Sequence, residues 1–192
     1  EVYSTKQPVK LGEAGITSKI ISDAAFERGL NVLKEFKTLC DQHQAPKIIA
    51  IGTAALRNAT NATAFIDKVK SETGIEIIII SGDVEAELIW NGVKQSVDLK
   101  EDKSLLMDIG GGSVEFIIAN AEKVFWKQSF DIGGALLLEK FQPSDPVTTD
   151  TIKTLETFFD KELLTLYQAC QLNMPVQLIG SSGTFDTFTD LI

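Results

Sequence analysis

The chain has 192 residues, of which 44% are hydrophobic and 23% charged, with a formal net charge of −9 at pH 7. Such a chain can bury a core in one large or two small domains. Its negative charge argues against a surface that binds nucleic acid or adsorbs to anionic membranes. No apolar run approaches the roughly 20 residues that cross a bilayer, and no signal-peptide pattern is present. Two distant cysteines and a single histidine argue against a zinc site and fit a reducing compartment, so we expect a cytoplasmic protein.

The first half of the sequence predicts alternating helices and strands. Residues 1–12 are typical of a strand followed by a turn, and Ser22 or Asp23 can cap a helix to about His43. The later elements are a strand at 47–51, a connection with helical character at 53–61, a helix from Asn61 to about Thr73, an apolar strand at 75–81 and a helix at 82–97 with Leu88, Ile89 and Val93 inside. The unbroken apolar run at 75–81 is typical of a strand covered on both faces. This order indicates an α/β domain with parallel strands.

The second half opens with three strands in a row, at 104–109, 113–120 and 123–130. Only "GGG" separates the first two and "NAE" the next two, and turns this short force antiparallel pairing. The remaining predicted elements are a helix at 134–141, a long helix from about Thr149 to Gln171, a strand at 176–180 and a final helix that begins near 181. The second half therefore has the order β-β-β-α-α-β-α.

The hairpin loop of the second half places one acid, three glycines and a serine between two strands. Glycines at Gly110, Gly111 and Gly112 let backbone N–H groups converge on an anion, and glycine tolerates the positive φ that such a turn can need. Ser113 adds a hydroxyl. Asp108 would repel a phosphate unless Mg²⁺ lies between them. The pattern predicts a metal-plus-phosphate loop; the alternative is a tight hairpin without a ligand.

A second glycine- and serine-rich loop, "LIGSSGTF", lies between a predicted strand and a predicted helix. Backbone N–H groups and the helix dipole point at such a turn. Its candidate phosphate-binding residues are Gly180, Ser181, Ser182 and Gly183. The alternative is an ordinary strand-to-helix connection with a serine cap.

Several stretches together carry a family resemblance. They are "KLGEAG", "GTAALRNATNATAFI", "IISGDVEAEL", "MDIGGGSVEFI", "SFDIGGALLLEKF" and "LIGSSGTFDTF". In this order they resemble the exopolyphosphatase / guanosine pentaphosphate phosphohydrolase family of the actin-like ATPase superfamily. The resemblance implies an α/β fold of two ribonuclease-H-like domains with mixed β-sheets, which we place at residues 1–89 and 90–192. The chain begins at Glu1, past the family's N-terminal strands and first phosphate loop, so we expect an excerpt whose first domain is incomplete.

The resemblance also implies an activity and its catalytic residues. The family hydrolyses phosphoanhydrides of polyphosphate or guanosine pentaphosphate with water, assisted by Mg²⁺ or another divalent cation. "ISGDVEAEL" resembles the family's "ISG-x-E-E-A-x-L", so Glu85 is the predicted base. Val84 stands where the family has its first acid, and Asp83 can replace that charge. Arg57, one of only two arginines, lies just past a strand end and is the predicted phosphate clamp.

Asp108 and Glu115 are the predicted metal ligands. Asp108 ends a strand, and Glu115 interrupts the apolar strand that follows the glycines. Strand alternation places Glu115 on the same face as Ser113, which can be the ligand side. The alternative for Glu115 is an exposed acid on a half-buried strand.

Two other functions remain open from the sequence. One is an ATP-dependent kinase or ATPase of the same superfamily, and the other is a non-catalytic sensor that binds guanosine alarmones. The predicted partner is polyphosphate or guanosine pentaphosphate, with no nucleic acid and no membrane. A homodimer is left open.

Overall fold

The computed structural model describes residues 3–191 of the chain. The chain forms two compact units, Glu1–Ile80 and Ser81–Ile192. The boundary expected between residues 89 and 90 falls within a helix, Gly82–Ser96, which belongs as a whole to the second unit because it packs on strands of that unit. The assignment of the two units as ribonuclease-H-like domains stays a prediction.

The first unit combines three helices with a small parallel sheet. Its elements are α1 (Asp23–Gln42), β1 (Ala50–Gly52), α2 (Ala54–Asn58), α3 (Ala62–Thr73) and β2 (Ile77–Ile79). β1 and β2 pair in parallel, as predicted. The strand predicted at 1–12 is wrong for residues 3–12, which are irregular or in turns; residues 1–2 lie outside the described residues.

Ser22 and Asn61, the predicted caps of α1 and α3, make different hydrogen bonds. Ser22 caps α1, and its Oγ accepts from the N–H of Ala25 at 3.4 Å, as predicted. Asn61 precedes α3 without a side-chain cap bond. Its amide instead accepts from the N–H of Ile21 and donates to the carbonyl of Ile21, both at 2.9 Å. Asn61 therefore fixes the chain before α1 rather than the start of α3.

The apolar run at 75–81 is covered less than its composition suggests. β2 has only three residues, and Ile78 in its middle is 59% exposed. Ile51 of the neighbouring β1 is 49% exposed. The prediction of a strand covered on both faces is wrong for the described residues, because an apolar run expresses a preference for burial but cannot supply the layer that covers it.

The second unit is built on a four-stranded mixed sheet. Its elements are α4 (Gly82–Ser96), β3 (Ser104–Ile109), β4 (Val114–Ala119), β5 (Val124–Phe130), α5 (Gly134–Phe141), α6 (Thr149–Glu162), α7 (Leu164–Asn173), β6 (Gln177–Ser181) and α8 (Gly183–Leu191). The strand order is β5-β4-β3-β6, antiparallel except for the parallel pair β3–β6. The predicted mixed α/β fold is confirmed. The long helix predicted from Thr149 is divided at Leu163 into α6 and α7.

Strand alternation divides the core of the second unit between the two faces of the sheet. On one face, Leu106 and Ile117 pack with Ala86 of α4. On the other face, Phe116 packs with Leu166 of α7. Leu88 was expected on the inner side of α4 but is 49% exposed, and the fully buried Ala86 marks that side instead. None of the described helices is long and apolar enough to cross a membrane.

Candidate active site

A row of polar side chains crosses the sheet of the second unit at one level. Glu115 of β4 pairs with Asp108 of β3 on one side and with Ser129 of β5 on the other, and Asp108 pairs with Ser181 of β6. Residues directly opposite on neighbouring strands share a face and approach to about 5 Å between Cβ atoms. The register therefore brings the two predicted metal ligands side by side.

Glu115 is a buried carboxylate at the centre of this row. It is 1% exposed, and its Oε1 accepts from the hydroxyls of Ser113 and Ser129, both at 2.6 Å. Burial raises the pKa of Glu115, the two hydroxyls oppose that rise, and the charges of Glu85 and Asp108 add to it. Glu85 and Asp108 are thus close enough for their charges to act on Glu115.

Glu85 is held by the start of α4. Its N–H donates to the carbonyl of Ser81 at 2.9 Å, and Ser81 caps the helix by accepting from the N–H of Val84 at 3.3 Å. A Cβ on Gly82 would lie 2.4 Å from Cβ of Ser129, so this helix start can approach β5 only because residue 82 is glycine. Close packing of α4 on β5 therefore positions Glu85 beside the row.

The glycine hairpin presents unpaired backbone donors next to the row. The N–H of Gly110 donates to the carbonyl of Ser113 at 3.0 Å and closes the turn. Among residues 3–191, no acceptor is found for the N–H groups of Gly111, Gly112 and Ser113. Unpaired amides cost free energy in a folded protein unless water or a ligand accepts from them, and a consecutive set of them is suited to an anion.

The start of α5 holds this loop from behind. The N–H groups of residues 133 to 136, which a helix start leaves without intrahelical partners, donate to loop carbonyls. The bonds are Gly133 to Gly112 at 3.2 Å, Gly134 to Gly110 at 3.0 Å, and Ala135 and Leu136 to Gly111 at 3.0 and 3.1 Å. These bonds engage the carbonyls of all three glycines and thereby fix the loop on the start of α5.

Gly110 and Gly133 are explained by close approach rather than by left-handed backbone, whereas a Cβ on Gly111 would make only an ordinary contact with Ala135 at 3.8 Å. Neither Gly110 nor Gly111 has φ in the left-handed region, so the positive φ considered for this turn is not used at these two positions. A Cβ on Gly110 would lie 3.0 Å from the carbonyl oxygen of Ser113. A Cβ on Gly133 would lie 2.4 Å from the carbonyl carbon of Gly111.

Sequence reasoning missed Ser129 and Gly133. Neither carries an ionisable group, and neither lies in a loop that looks like a ligand site. The available signal was the stretch "SFDIGGALLLEKF", which contains both residues and was matched only as part of the resemblance.

The second predicted loop lies against the first. The hydroxyl of Ser182 donates at 3.0 Å to the carbonyl of Ile109, the residue before the glycines, while Ser182 itself has φ 70°. A Cβ on Gly180 would lie 2.1 Å from the ring of Phe185, so Gly180 is required by that packing. The structure brings the two loops together, and phosphate binding by Gly180, Ser181, Ser182 and Gly183 stays a prediction.

Arg57 belongs to the first unit. It lies in α2, and its Nη1 donates to the carbonyl of Ile80 at 3.1 Å. Its half-buried guanidinium is anchored to the backbone at the last residue of that unit. Its role as a phosphate clamp stays a prediction.

The carboxylates present fit a Mg²⁺ ion that is shared with a substrate. The described residues contain no group of three or more His, Cys, Asp or Glu side chains placed to hold a metal by themselves. Mg²⁺ at phosphate sites is commonly held by one or two carboxylates, with water and substrate phosphates completing the shell. Asp108 and Glu115 supply two carboxylates, and because Oε1 of Glu115 already accepts two hydroxyl bonds, the less buried Asp108 is the better-placed direct ligand.

The second unit is thus an α/β unit that places a carboxylate row beside unpaired loop amides. The chain belongs to the Ppx/GppA phosphatase family, because the sequence model of that family matches residues 1–192. The predicted family is therefore confirmed.

Individual relatives agree with this family. A guanosine-5'-triphosphate,3'-diphosphate pyrophosphatase from Photobacterium profundum is 36% identical over 97% of this chain and 37% of its own length. Exopolyphosphatase 1 of Mycobacterium tuberculosis is 27% identical over 98% of this chain and 55% of its own length. A bifunctional 3-dehydroquinate synthase/phosphatase from Fusobacterium nucleatum is 40% identical over 73% of this chain and 22% of its own length. The chain thus spans roughly a fifth to a half of the length of these curated relatives.

Solved structures show the same fold. The crystal structure of an exopolyphosphatase from Cytophaga hutchinsonii is 45% identical and matches 95% of this chain and 59% of its own, with a TM-score of 0.94. A family member from Aquifex aeolicus is 30% identical and matches 92% of this chain and 56% of its own, with a TM-score of 0.68.

Proposed function

We propose that the protein hydrolyses phosphoanhydride bonds and releases terminal phosphate from inorganic polyphosphate or guanosine pentaphosphate. The observation that carries this proposal is the set of three unpaired N–H groups, on Gly111, Gly112 and Ser113, beside the carboxylates of Glu85 and Asp108. The printed names of two relatives, an exopolyphosphatase and a guanosine-5'-triphosphate,3'-diphosphate pyrophosphatase, support the same class of bond. Both reactions transfer a phosphoryl group to water, so one site can serve both.

The loop amides have the role of binding the phosphoryl group that is transferred. Its oxygens accept from the N–H groups of Gly111, Gly112 and Ser113, which α5 has already fixed in place. Donors that are fixed before the substrate arrives stabilise developing negative charge without reorganising during the reaction. Arg57 supplies a guanidinium that can take two phosphate oxygens.

Glu85 has the role of orienting the attacking water and accepting its proton. The water oxygen forms a bond to phosphorus as the bridging P–O bond breaks, and the shortened polyphosphate or nucleotide leaves with that electron pair. Phosphoryl transfer of this kind depends mainly on positioning and on electrostatic stabilisation. The packing of Gly82 on Ser129 fixes the helix start that carries Glu85, which is the positioning the reaction needs.

Asp108 and Glu115 would hold the divalent cation. When bound there, such a cation would neutralise charge on the substrate phosphates. The hydroxyls of Ser113 and Ser129 both donate to Oε1 of Glu115 and fix the orientation of the carboxylate. Its second oxygen, Oε2, would then be the one that contacts the cation.

The experiment that tests this function measures phosphate release from polyphosphate and from guanosine pentaphosphate, with Mg²⁺ and without added ADP. We expect release by the native protein and a loss of about 10²- to 10⁴-fold in kcat for Glu85→Gln, because a positioned general base contributes about that much. Glu156→Gln, on an exposed position of α6, is the matched control and should keep full activity. Release that requires ADP, or unchanged kcat in Glu85→Gln, would contradict the proposal.

A further inference from the structure

A groove on the second unit lies along α4 and the edge strand β5. Its volume is about 460 Å³, and its lining residues include the aromatic residues Trp90 and Phe125. The second tryptophan of the sequence, Trp126, also borders the groove, but its ring packs with Phe130 in the core on the other face of the sheet. The nearby charged residues of its wall are Glu87, Glu122, Lys123 and Lys127.

Three of the four lysines around the groove lie over aromatic rings instead of against acids, and the fourth, Lys127, is paired with Glu87. Lys94 is 3.6 Å from the centre of the Trp90 ring, and Lys103 and Lys123 are 4.5 and 5.0 Å from that of Phe125. Within the described part of the chain, none of these three forms an ion pair with a carboxylate. A ring holds an ammonium group without cancelling its charge, so the three charges stay available to an anion.

This positive patch contrasts with the rest of its unit. Residues 81–192 contain 8 lysines, no arginine and 18 aspartates and glutamates. Half of these lysines, Lys94, Lys103, Lys123 and Lys127, are at the groove. Two carboxylates line it, and one of them, Glu87, is already paired with Lys127 at 3.0 Å.

The groove is aligned with the candidate active site. Lys127 precedes Ser129 by two residues on β5, so it lies on the same face about 7 Å along the strand. Ser129 binds Glu115, the centre of the carboxylate row. α4 runs beside β5 over the same distance, with Gly82 against Ser129 and Glu87 against Lys127. A chain leaving the site along β5 would enter the groove.

We propose that this lysine–aromatic groove binds the distal phosphates of a linear polyphosphate whose terminal phosphate occupies the glycine loop. The inference rests on the proposed function and deepens it, because it predicts a preference for long polyphosphate over short substrates. Phosphates carry a regular series of negative charges, which match a series of ammonium groups held without acid partners.

The test compares two sets of charge-neutralising substitutions on the same unit. One variant combines Lys94→Gln, Lys103→Gln and Lys123→Gln, and the control combines Lys140→Gln, Lys153→Gln and Lys161→Gln. Lys140 is a close match, since it lies 4.1 Å from the ring centre of Phe158. We expect the groove variant to raise KM for long-chain polyphosphate about tenfold, with a weaker salt dependence, while kcat and KM for tripolyphosphate stay unchanged.

A direct binding measurement separates this inference from the proposed function. Trp90 lies in the groove under Lys94, so tryptophan fluorescence should change when long-chain polyphosphate is added and should respond much less in the groove variant. If the protein releases no phosphate but its fluorescence still changes with long-chain polyphosphate and changes less in the groove variant, the proposed function is wrong and the groove inference is supported. The groove inference is overturned if the control variant shows the same losses, if tripolyphosphate is affected equally, or if a single-stranded oligodeoxynucleotide of equal charge binds as tightly. Thermal unfolding checks that the bond from Lys103 to Asn173 does not account for the loss.

Discussion

At the scale of single residues, Glu115 has the least favourable environment for its charge in the candidate site. Its carboxylate is buried next to two other carboxylates, and its pKa is raised first by that burial. A raised pKa means that the folded state binds a proton more tightly than the unfolded state. Stability from this group is therefore present at low pH and is lost as pH rises through the folded-state pKa. At neutral pH an ionised Glu115 costs stability, which is typical of functional sites.

This predicts a substitution that stabilises the fold while it removes function. Glu115→Gln keeps an oxygen that can accept from Ser113 and Ser129 but removes the buried charge, so its Tm should exceed that of the native protein at neutral pH. The difference should shrink as pH falls toward the ordinary range of a glutamate pKa. Thermal unfolding across this pH range checks it, with Glu156→Gln as the control. A parallel pH dependence of the native and Glu115→Gln proteins would contradict the assigned cause.

The sequence identified the acids of the site better than the residues that support them. Asp108 and Glu115 could be singled out because an acid at the end or in the middle of an apolar strand needs an explanation, whereas Glu85 was predicted only through the resemblance, since an acid at a helix start is ordinary. Ser129 and Gly133 could not be singled out, since their importance depends on which strand and which helix start lie beside them. Those neighbours are set by tertiary packing.

At the scale of elements, the start of α5 and the glycine hairpin are joined by hydrogen bonds and act together. A helix start commonly binds an anion with its own N–H groups, but here the carbonyls of the hairpin take those donors. In the proposed function, the hairpin amides take the anion-binding role in place of the helix start. The sequence predicted a phosphate-binding hairpin and a helix at 134–141, and the structure adds that the helix holds the hairpin.

Alanine substitutions at two adjacent glycines, Gly133 and Gly134, test whether α5 holds the hairpin in place. Gly133→Ala should displace the hairpin, because its Cβ would lie 2.4 Å from Gly111, and overpacking of this kind costs about 1–3 kcal/mol. Gly134→Ala, with no atom within 4 Å of the added Cβ, should fold at least as stably as the native protein. We expect KM for polyphosphate to rise in Gly133→Ala alone. Thermal unfolding and steady-state kinetics measure both effects, and equal behaviour of the two variants would contradict the role of α5.

Element boundaries show where local pattern stops being informative. The antiparallel strands were predictable because turns of three residues leave no other pairing. The helix predicted from Thr149 to Gln171 divides at Leu163, although its apolar pattern continues on both sides. The strand predicted at 75–81 has only three residues in the structure, Ile77–Ile79. A run of isoleucines favours strand conformation, but the neighbouring strand decides how many of its residues are paired.

At the scale of the whole molecule, charge and proposed substrate are in apparent conflict. A chain with a net charge of −9 repels a polyanion over most of its surface. Binding of the proposed substrate would therefore have to come from the local features proposed above: unpaired amides, a cation held by carboxylates, Arg57 and the lysine–aromatic groove. The family and the mixed α/β fold could be predicted from six short stretches, whereas the division into units at residue 80 depends on where α4 packs.

The most direct test of the central claim follows the backbone amides of the whole protein by NMR during titration with a non-hydrolysable imido analogue of triphosphate and Mg²⁺. The largest changes should fall on the unpaired N–H groups of Gly111, Gly112 and Ser113. The paired amides of Gly134 and Ala135 provide the internal control and should move little. If those paired amides respond while residues 111 to 113 stay unchanged, the hairpin does not bind phosphate and the proposed mechanism is wrong.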